Sequence, residues 1–340
     1  MSKRPTIQDV ADRAGVSRSA ISKVIRNAYG ISDDMRSRVE AAIAELNYRP
    51  QFAARGLRGR TYSFGVTLPD MRNQFFSDVM DGVWAATKQS TYQSLLAVRP
   101  SQDLTDKNQI DTMLDRKLDG LLLVAPRIEK RQLWKLAESV PLVLIGHHEP
   151  EGEFDTANND DEQGTRLALA HLIDAGHRKI AHVTFQVLED AAVNPVAYRL
   201  KGYLDVMRER GLASHIQIVE QKFSATDEER SRQIHQILTS KNRPTAIFAW
   251  SDKAAIPILS VAGELGVRIP EDLALIGYDN WPMCAIPQIS LTSVDQDPHQ
   301  LGMRAAELLI ERIEGRTTPV HFVTQPRLIV RKSSLQSVAS

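Results

Sequence analysis

From residue 63 to about residue 330 the chain repeats one alternation: a short apolar or β-branched run, then a segment with helical periodicity. The runs fall at 64–68, 94–98, 120–125, 142–145, 180–185, 216–220, 246–250 and 273–278. This alternation predicts an α/β class with parallel sheets, because parallel strands need crossover connections that helices supply. Eight such runs could close into a barrel. The further pieces at 291–296, 299–314 and 320–330 do not fit an eightfold repeat, and they point to two open-sheet lobes joined by crossovers.

The residues before this body differ in charge and in period. Residues 1–60 hold 12 Lys and Arg against 6 Asp and Glu, whereas the whole chain holds 42 of each. A basic head on an acidic body is the footprint of a nucleic-acid-binding module, although a solvated basic face would carry the same charge. The local pattern decides. Thr6 with Asp9 makes a capping-box start, and Ile7, Val10, Ala11 and Ala14 then share one helical face. Gly15 suits a left-handed C-cap, and Ser17 suits the N-cap of a second helix that buries Ile21, Val24 and Ile25. Two short helices around Gly15-Val16-Ser17 form a helix-turn-helix, whose second helix enters the major groove. That helix exposes Arg18, Ser19 and Lys23, with Ser22 and Arg26 nearby, as donors for base edges. A third helix is predicted from Ser32, with Met35, Val39, Ala42, Ile43 and Leu46 in register and Asn47 at its end. Pro50 then breaks the pattern. The stretch 51–58 is too short, and too weakened by Gly56, to hold a helix alone, so it is expected to be helical only on DNA.

These motifs resemble the headpiece of the LacI–GalR family of bacterial transcriptional regulators. The resemblance rests on Thr6-Ile7-Gln8-Asp9-Val10-Ala11, Ala14-Gly15-Val16-Ser17 and Ile21-Ser22. It continues through Val39-Glu40-Ala41-Ala42-Ile43, Leu46-Asn47-Tyr48-Arg49-Pro50 and Ala53-Ala54-Arg55-Gly56-Leu57-Arg58. It implies a homodimer on a palindromic operator in double-stranded DNA, with paired hinge segments in the minor groove. It extends the DNA-contacting set to Thr6, Ser17, Tyr48, Ala54, Leu57 and Arg58, with Leu57 wedged at a central base step. Ala20 and Gln51 depart from the family's usual Thr and Asn. Farther on, Pro69-Asp70, Asn73-Gln74-Phe75-Phe76, Gly176-His177-Arg178, Ile269-Pro270-Glu271-Asp272 and Ile276-Gly277-Tyr278-Asp279 carry the likeness. They imply a bilobed, periplasmic-binding-protein-like sensor, with ligand held at strand C-termini. The expected division is 1–49 headpiece, 50–61 hinge, 62–331 sensor and dimerisation domain, and 332–340 tail.

By the same resemblance the effector contacts are Phe75, Phe76, Arg199, Phe223, Asp252, Asp279 and Gln296, and a sugar or sugar derivative is the expected effector. Five of them have a plain alternative: Phe75 and Phe76 as core, Arg199 and Asp279 as a structural ion pair, Asp252 as a helix cap. Ser251 and Gly146 stand where sugar-sensing members often carry Asn and Asp, which blunts the sugar reading. His147-His148-Glu149 lacks partners at metal-ligand spacing, so neither a metal nor a cofactor is expected. The single cysteine, Cys284, rules out an internal disulfide and reads as buried and apolar. No secretory signal and no run of about 18 apolar residues occurs, so a cytoplasmic protein with no membrane partner is expected. The leading function is a sequence-specific DNA-binding regulator, most often a repressor in this family. The competing readings are an α/β enzyme with an accessory DNA-binding head, which requires a nucleophile–base pair, and a transport binding protein, which requires a signal peptide.

Overall fold

Thr6 starts the first helix as its sequence predicts. In this computed structural model, which describes residues 5–25, 29–48, 60–88, 90–100, 103, 105–149, 151–187 and 193–335, Thr6 Oγ1 accepts from the Asp9 amide and Asp9 Oδ2 accepts from the Thr6 amide. Helix α1 (Ile7–Ala14) ends at Gly15, whose φ of 64° lies in the left-handed region that favours glycine. Helix α2 (Arg18–Ile25) follows, with Ser17 Oγ accepting from the Ala20 amide at 3.2 Å. Helix α3 (Asp33–Glu45) is capped by Ser32. Val10, Ala11, Ala14, Ile21, Val24, Val39, Ala42 and Tyr48 form the core. The chain divides into two units, residues 1–61 and 62–340. The expected hinge at 50–61 falls mostly outside the described residues.

The second unit holds two six-stranded sheets. The first lobe contains β1 (Ser63–Leu68), β2 (Gln93–Val98), β3 (Gly120–Val124), β4 (Leu142–Ile145), β5 (Asp155–Asn159) and, late in the chain, β11 (His321–Thr324). Their order is β11-β5-β4-β3-β1-β2. The second lobe contains β6 (Ile180–Phe185), β7 (Gln217–Gln221), β8 (Ala246–Ala249), β9 (Ala274–Tyr278), β10 (Thr292–Asp295) and β12 (Arg327–Ile329), in the order β12-β10-β9-β8-β6-β7. Pairing is parallel throughout except between β10 and β12. The alternation therefore makes two open sheets and not a barrel. The chain crosses between lobes after β5, after β10 and between β11 and β12.

Of the first lobe's helices, α4 (Gln74–Thr87), α5 (Lys107–Asp115) and α6 (Lys130–Ser139) come before the first crossing. The second lobe's are α7 (Asp161–Asp174), α8 (Pro195–Glu209), α9 (Asp227–Thr239) and α10 (Asp252–Glu264). Helix α11 (Pro298–Ile313) follows the second lobe in sequence but packs on α4 in the first. Two glycines allow this: a Cβ on Gly82 would lie 2.0 Å from the His299 carbonyl oxygen, and one on Gly302 would lie 1.9 Å from that of Val79.

Strand β5 carries no apolar signal in the sequence Asp-Thr-Ala-Asn-Asn, yet every residue in it is buried. Its side chains are engaged individually. Asp155 takes Arg312 and Arg316, Thr156 meets His321, Asn158 brackets the His147 backbone, and Asn159 donates to the Tyr278 hydroxyl. The expected tail also needs correction. Ser333 and Ser334 are buried, with Ser333 Oγ donating to the Leu275 carbonyl at 2.6 Å and Ser334 Oγ meeting Thr292 Oγ1 at 2.7 Å. Residues 332–334 thus close the second lobe.

His182 sits mid-strand in β6, fully buried between the Tyr203 and Phe248 rings, and its Nδ1 donates to the Phe248 carbonyl at 3.0 Å. Burial is the main cause that pushes its pKa down to about 4. The unfolded imidazole titrates near 6.5, so below that pH the unfolded state binds the proton first. Stability should be full above about pH 6.5 and fall as pH drops toward 4, by at most about 3 kcal/mol from this one group. His182→Phe should make that decline shallower but not flat, since burial also pushes His147 to about 4. Urea unfolding at a series of pH values measures this; an unchanged decline in the variant would remove His182 as a cause.

Candidate DNA and effector interfaces

The headpiece presents the start of α2 to solvent. Arg18, Ser19 and Lys23 are exposed and Ser22 is half-buried. Ser17 Oγ lies 2.8 Å from Ser19 Oγ, a bond that braces the turn. Thr6 is engaged in its capping box, leaving backbone and hydroxyl at an exposed helix start. Tyr48 departs from the expectation: it is 8 % exposed, and its ring belongs to the headpiece core. The reason is spatial, since the chain leaving α3 turns through Asn47 at positive φ and brings the ring into the headpiece core. Arg26, Ala54, Leu57 and Arg58 lie outside the described residues.

In the sensor, the residues that converge sit where strands end. Arg199 projects from α8 and is 2 % exposed. Its Nε donates to Asp161 Oδ1 at 2.7 Å, and one terminal nitrogen donates to the Trp250 carbonyl at 2.5 Å. Asp279 Oδ1 lies 3.9 Å away, and the guanidinium carbon stands 3.5 Å from the centroid of the Tyr278 ring. Gln296 donates to Asp279 Oδ1 at 2.6 Å. Sequence reasoning thus named Arg199, Asp279 and Gln296 as contacts, and the fold brings them together. It missed Asp161, His148, Tyr198, Tyr278 and Trp250. His148 meets Asp161 Oδ2 at 2.9 Å and stacks on Tyr198 at 4.1 Å, joining the end of β4 to α7 and α8 across the lobes.

The other expected contacts take different places. Phe76 is core, edge-on to the half-buried Phe75 at 5.5 Å, and both pack in the first lobe's apolar cluster. Asp252 is corrected from effector contact to internal brace. Its oxygens accept from the Trp281 amide at 2.8 Å, the Ser293 hydroxyl at 2.7 Å and the Cys284 thiol at 3.2 Å. Ser251, not Asp252, occupies the N-cap position of α10, and its side chain makes no capping bond. Phe223 stacks on Phe185 at 4.3 Å, and Phe185 in turn meets Trp250 edge-on at 4.9 Å.

Burial and the neighbouring charges shift the carboxyls of this cluster in opposite directions. Burial pulls Asp161 up, but Arg199 and His148 outweigh it and hold the carboxyl below its usual range. Burial pushes Asp279 well up, against the pull of Arg199. Burial likewise raises Asp252 to about 6 and pushes the Cys284 thiol up, which disfavours a nucleophilic thiolate. Trp250 Nε1, Ser251 Oγ and Asn159 Oδ1 are buried without a partner, each at or just past a strand's C-terminal end. Buried polar atoms are ordinarily paired, so this is where a polar ligand would find donors and acceptors in place. Across the mouth, Lys253 of α10 bonds Asp70 of the first lobe at 2.9 Å.

A basic helix-turn-helix head joined to a two-lobed parallel α/β receptor defines a ligand-responsive DNA-binding regulator. Comparison with known proteins agrees. Residues 6–51 match the bacterial regulatory proteins of the lacI family, and residues 169–334 match the periplasmic binding protein-like domain. The chain is 33 % identical over 331 residues to the ribose operon repressor of Haemophilus influenzae, covering 96 % of this chain and 98 % of that one. It is 30 % identical over 333 residues to the HTH-type transcriptional repressor PurR of Photobacterium profundum, covering 96 % and 98 %. The crystal structure of the lac repressor dimer bound to operator and the anti-inducer ONPF superposes with a TM-score of 0.82 over 98 % of this chain and 100 % of that one, at 23 % identity, which speaks to fold. The chain belongs to the lacI family of bacterial regulatory proteins. It is a DNA-binding transcriptional repressor of that family with a small-molecule effector. Among the described residues no helix is long and apolar enough to cross a membrane.

Proposed function

We propose that the protein is a dimeric repressor that reads a palindromic operator and releases or gains it according to a polyhydroxylated effector, sugar-like in chemistry, bound between its two lobes. The observation that carries this reading is the Arg199–Asp161–Asp279–Gln296 cluster, set beside unpartnered buried polar atoms at the strand ends. Carboxyl and amide groups pair with hydroxyls, and the Tyr278 and Trp250 rings suit the apolar face of a sugar ring. The ribose operon repressor among its relatives supports a sugar. Effector acts only through different affinity for open and closed lobes. Closure ties Asp70 to Lys253 and His148 to Asp161, and the lobe angle it sets would govern whether the two hinges at 50–61 can pair on DNA. Exposed Trp84, Leu96 and Leu114 on the first lobe support a dimer formed through the sensor. The enzyme reading finds no nucleophile–base pair in this cluster.

Selection of full-length protein on a random inverted-repeat DNA library, then gel shifts of the enriched site against scrambled DNA, tests the reading. Arg18→Ala should cost about 1–3 kcal/mol on the enriched site, whereas Lys23→Ala, if on a phosphate, should weaken both DNAs and lower the salt slope by about 1. Absence of any enriched inverted repeat would defeat the reading.

A further inference from the structure

The polar cluster around Arg199 does not offer free positive charge, because Asp161 neutralises its guanidinium and Asp279 stands next to it. A second contact between the two lobes differs. Arg127 lies just beyond the C-terminal end of β3, and its guanidinium carbon sits 4.2 Å from the centroid of the Phe223 ring, beyond β7 in the opposite lobe. Phe223 stacks on Phe185, which touches Trp250, and Trp250 lies beside Arg199 at 5.9 Å. One row of rings therefore joins this contact to the Arg199 cluster.

Arg127 is half-buried, and no carboxylate of the described residues lies within 4.0 Å of its guanidinium. The nearby Asp106 is already engaged: its Oδ2 accepts from Arg99 at 2.8 Å and from the Arg127 backbone amide at 2.7 Å. Burial first, and Arg99 second, press the Arg127 pKa down, against a smaller upward pull from Asp106. A guanidinium whose carbon lies over a ring still has N–H groups to offer a planar or tetrahedral oxyanion, which it can grip with two bonds. On the far side of the ring pair, Arg230 lies 5.5 Å from Phe185 and holds the Phe223 carbonyl at 3.1 Å; its Nε is buried without a partner.

We propose that the effector is a polyhydroxylated molecule bearing an anionic group, a carboxylate or a phosphate, with its hydroxyls on the Arg199–Asp279 cluster and its anion on the guanidinium of Arg127. Arg127 is then the residue that sets specificity for charge, and because it comes from the first lobe while Phe223 comes from the second, the anion favours the closed arrangement. This rests on the reading of the crevice as the effector site.

The test is a titration of full-length protein, by calorimetry and tryptophan fluorescence, with an aldose, its aldonate and its terminal phosphate ester in the ribose, glucose and galactose series. In the series that binds, an anionic member should bind at least about ten-fold tighter than its neutral parent, the scale of one charge-assisted bidentate pair in a buried site. Arg127→Gln should erase that advantage while leaving the parent's affinity within about two-fold, and Arg127→Lys should keep part of it, since the charge remains but the fork is lost. Preference for the aldonate identifies a carboxylate, and preference for the ester a phosphate. A neutral parent that binds best, or an anion whose advantage survives Arg127→Gln, overturns the proposal while leaving the effector site standing. Asp279→Asn separates the two ideas: it should weaken every member of the series, and binding indifferent to Asp279 would bring down the site itself. The backbone bond from residue 127 to Asp106 persists in either Arg127 variant, and an unchanged melting profile verifies the fold.

Discussion

Arg199→Ala is expected to lower the stability of the sensor by about 3–5 kcal/mol and to abolish its response to effector, because it leaves the buried Asp161 carboxylate without its main counter-charge. The same change removes the donor to the Trp250 carbonyl and the cation over the Tyr278 ring. A paired variant tells charge from packing. Arg199→Met with Asp161→Asn should recover much of the loss, since replacing both members of a buried pair costs far less than orphaning one. Urea unfolding of the two variants beside the parent measures this. A single-variant loss under about 1 kcal/mol would mean that water reaches the pair and screens its charges.

The second large effect concerns the seam between α4 and α11. Gly302→Ala should cost about 3 kcal/mol or more, since the new Cβ meets the Val79 backbone at 1.9 Å and no side chain can rotate away. The helices would have to separate, opening the first lobe's core at Val79, Val83, Leu301 and Ala305. Gly82→Ala should behave alike, against the His299 carbonyl. Gly263→Ala is the control: that position is exposed on α10 with nothing within 4 Å of the new Cβ, so it should be neutral or stabilising by up to about 1 kcal/mol. Equal effects at 302 and 263 would show that helix propensity, not close approach, governs the seam.

Much of the architecture is readable because its causes are local. A Thr6–Asp9 box, a left-handed Gly15 and a Ser17 cap act within a few residues, and the helix-turn-helix follows from them. Strands such as 142–145 and 180–185 show as apolar runs because both of their faces are covered. Strand β5 escapes that reasoning. It stands at the crossing between lobes, where its polar side chains are satisfied by partners up to 165 residues away in sequence. The same holds for Ser333 and Ser334, which look like tail and are core.

The amino-acid order alone therefore determined the kind of molecule: a basic three-helix head, a parallel two-lobed receptor, and the candidacy of Arg199, Asp279 and Gln296. Tertiary structure decided which candidates meet. It drew Phe76 and Tyr48 into cores, turned Asp252 into a brace and set Asp161 and His148 beside Arg199. It also laid Arg127 over Phe223, 96 positions away in the numbering. Caps and periodicities are short-range and repeat along the chain. A pairing across two lobes depends on where crossovers return the backbone, and no local pattern records that.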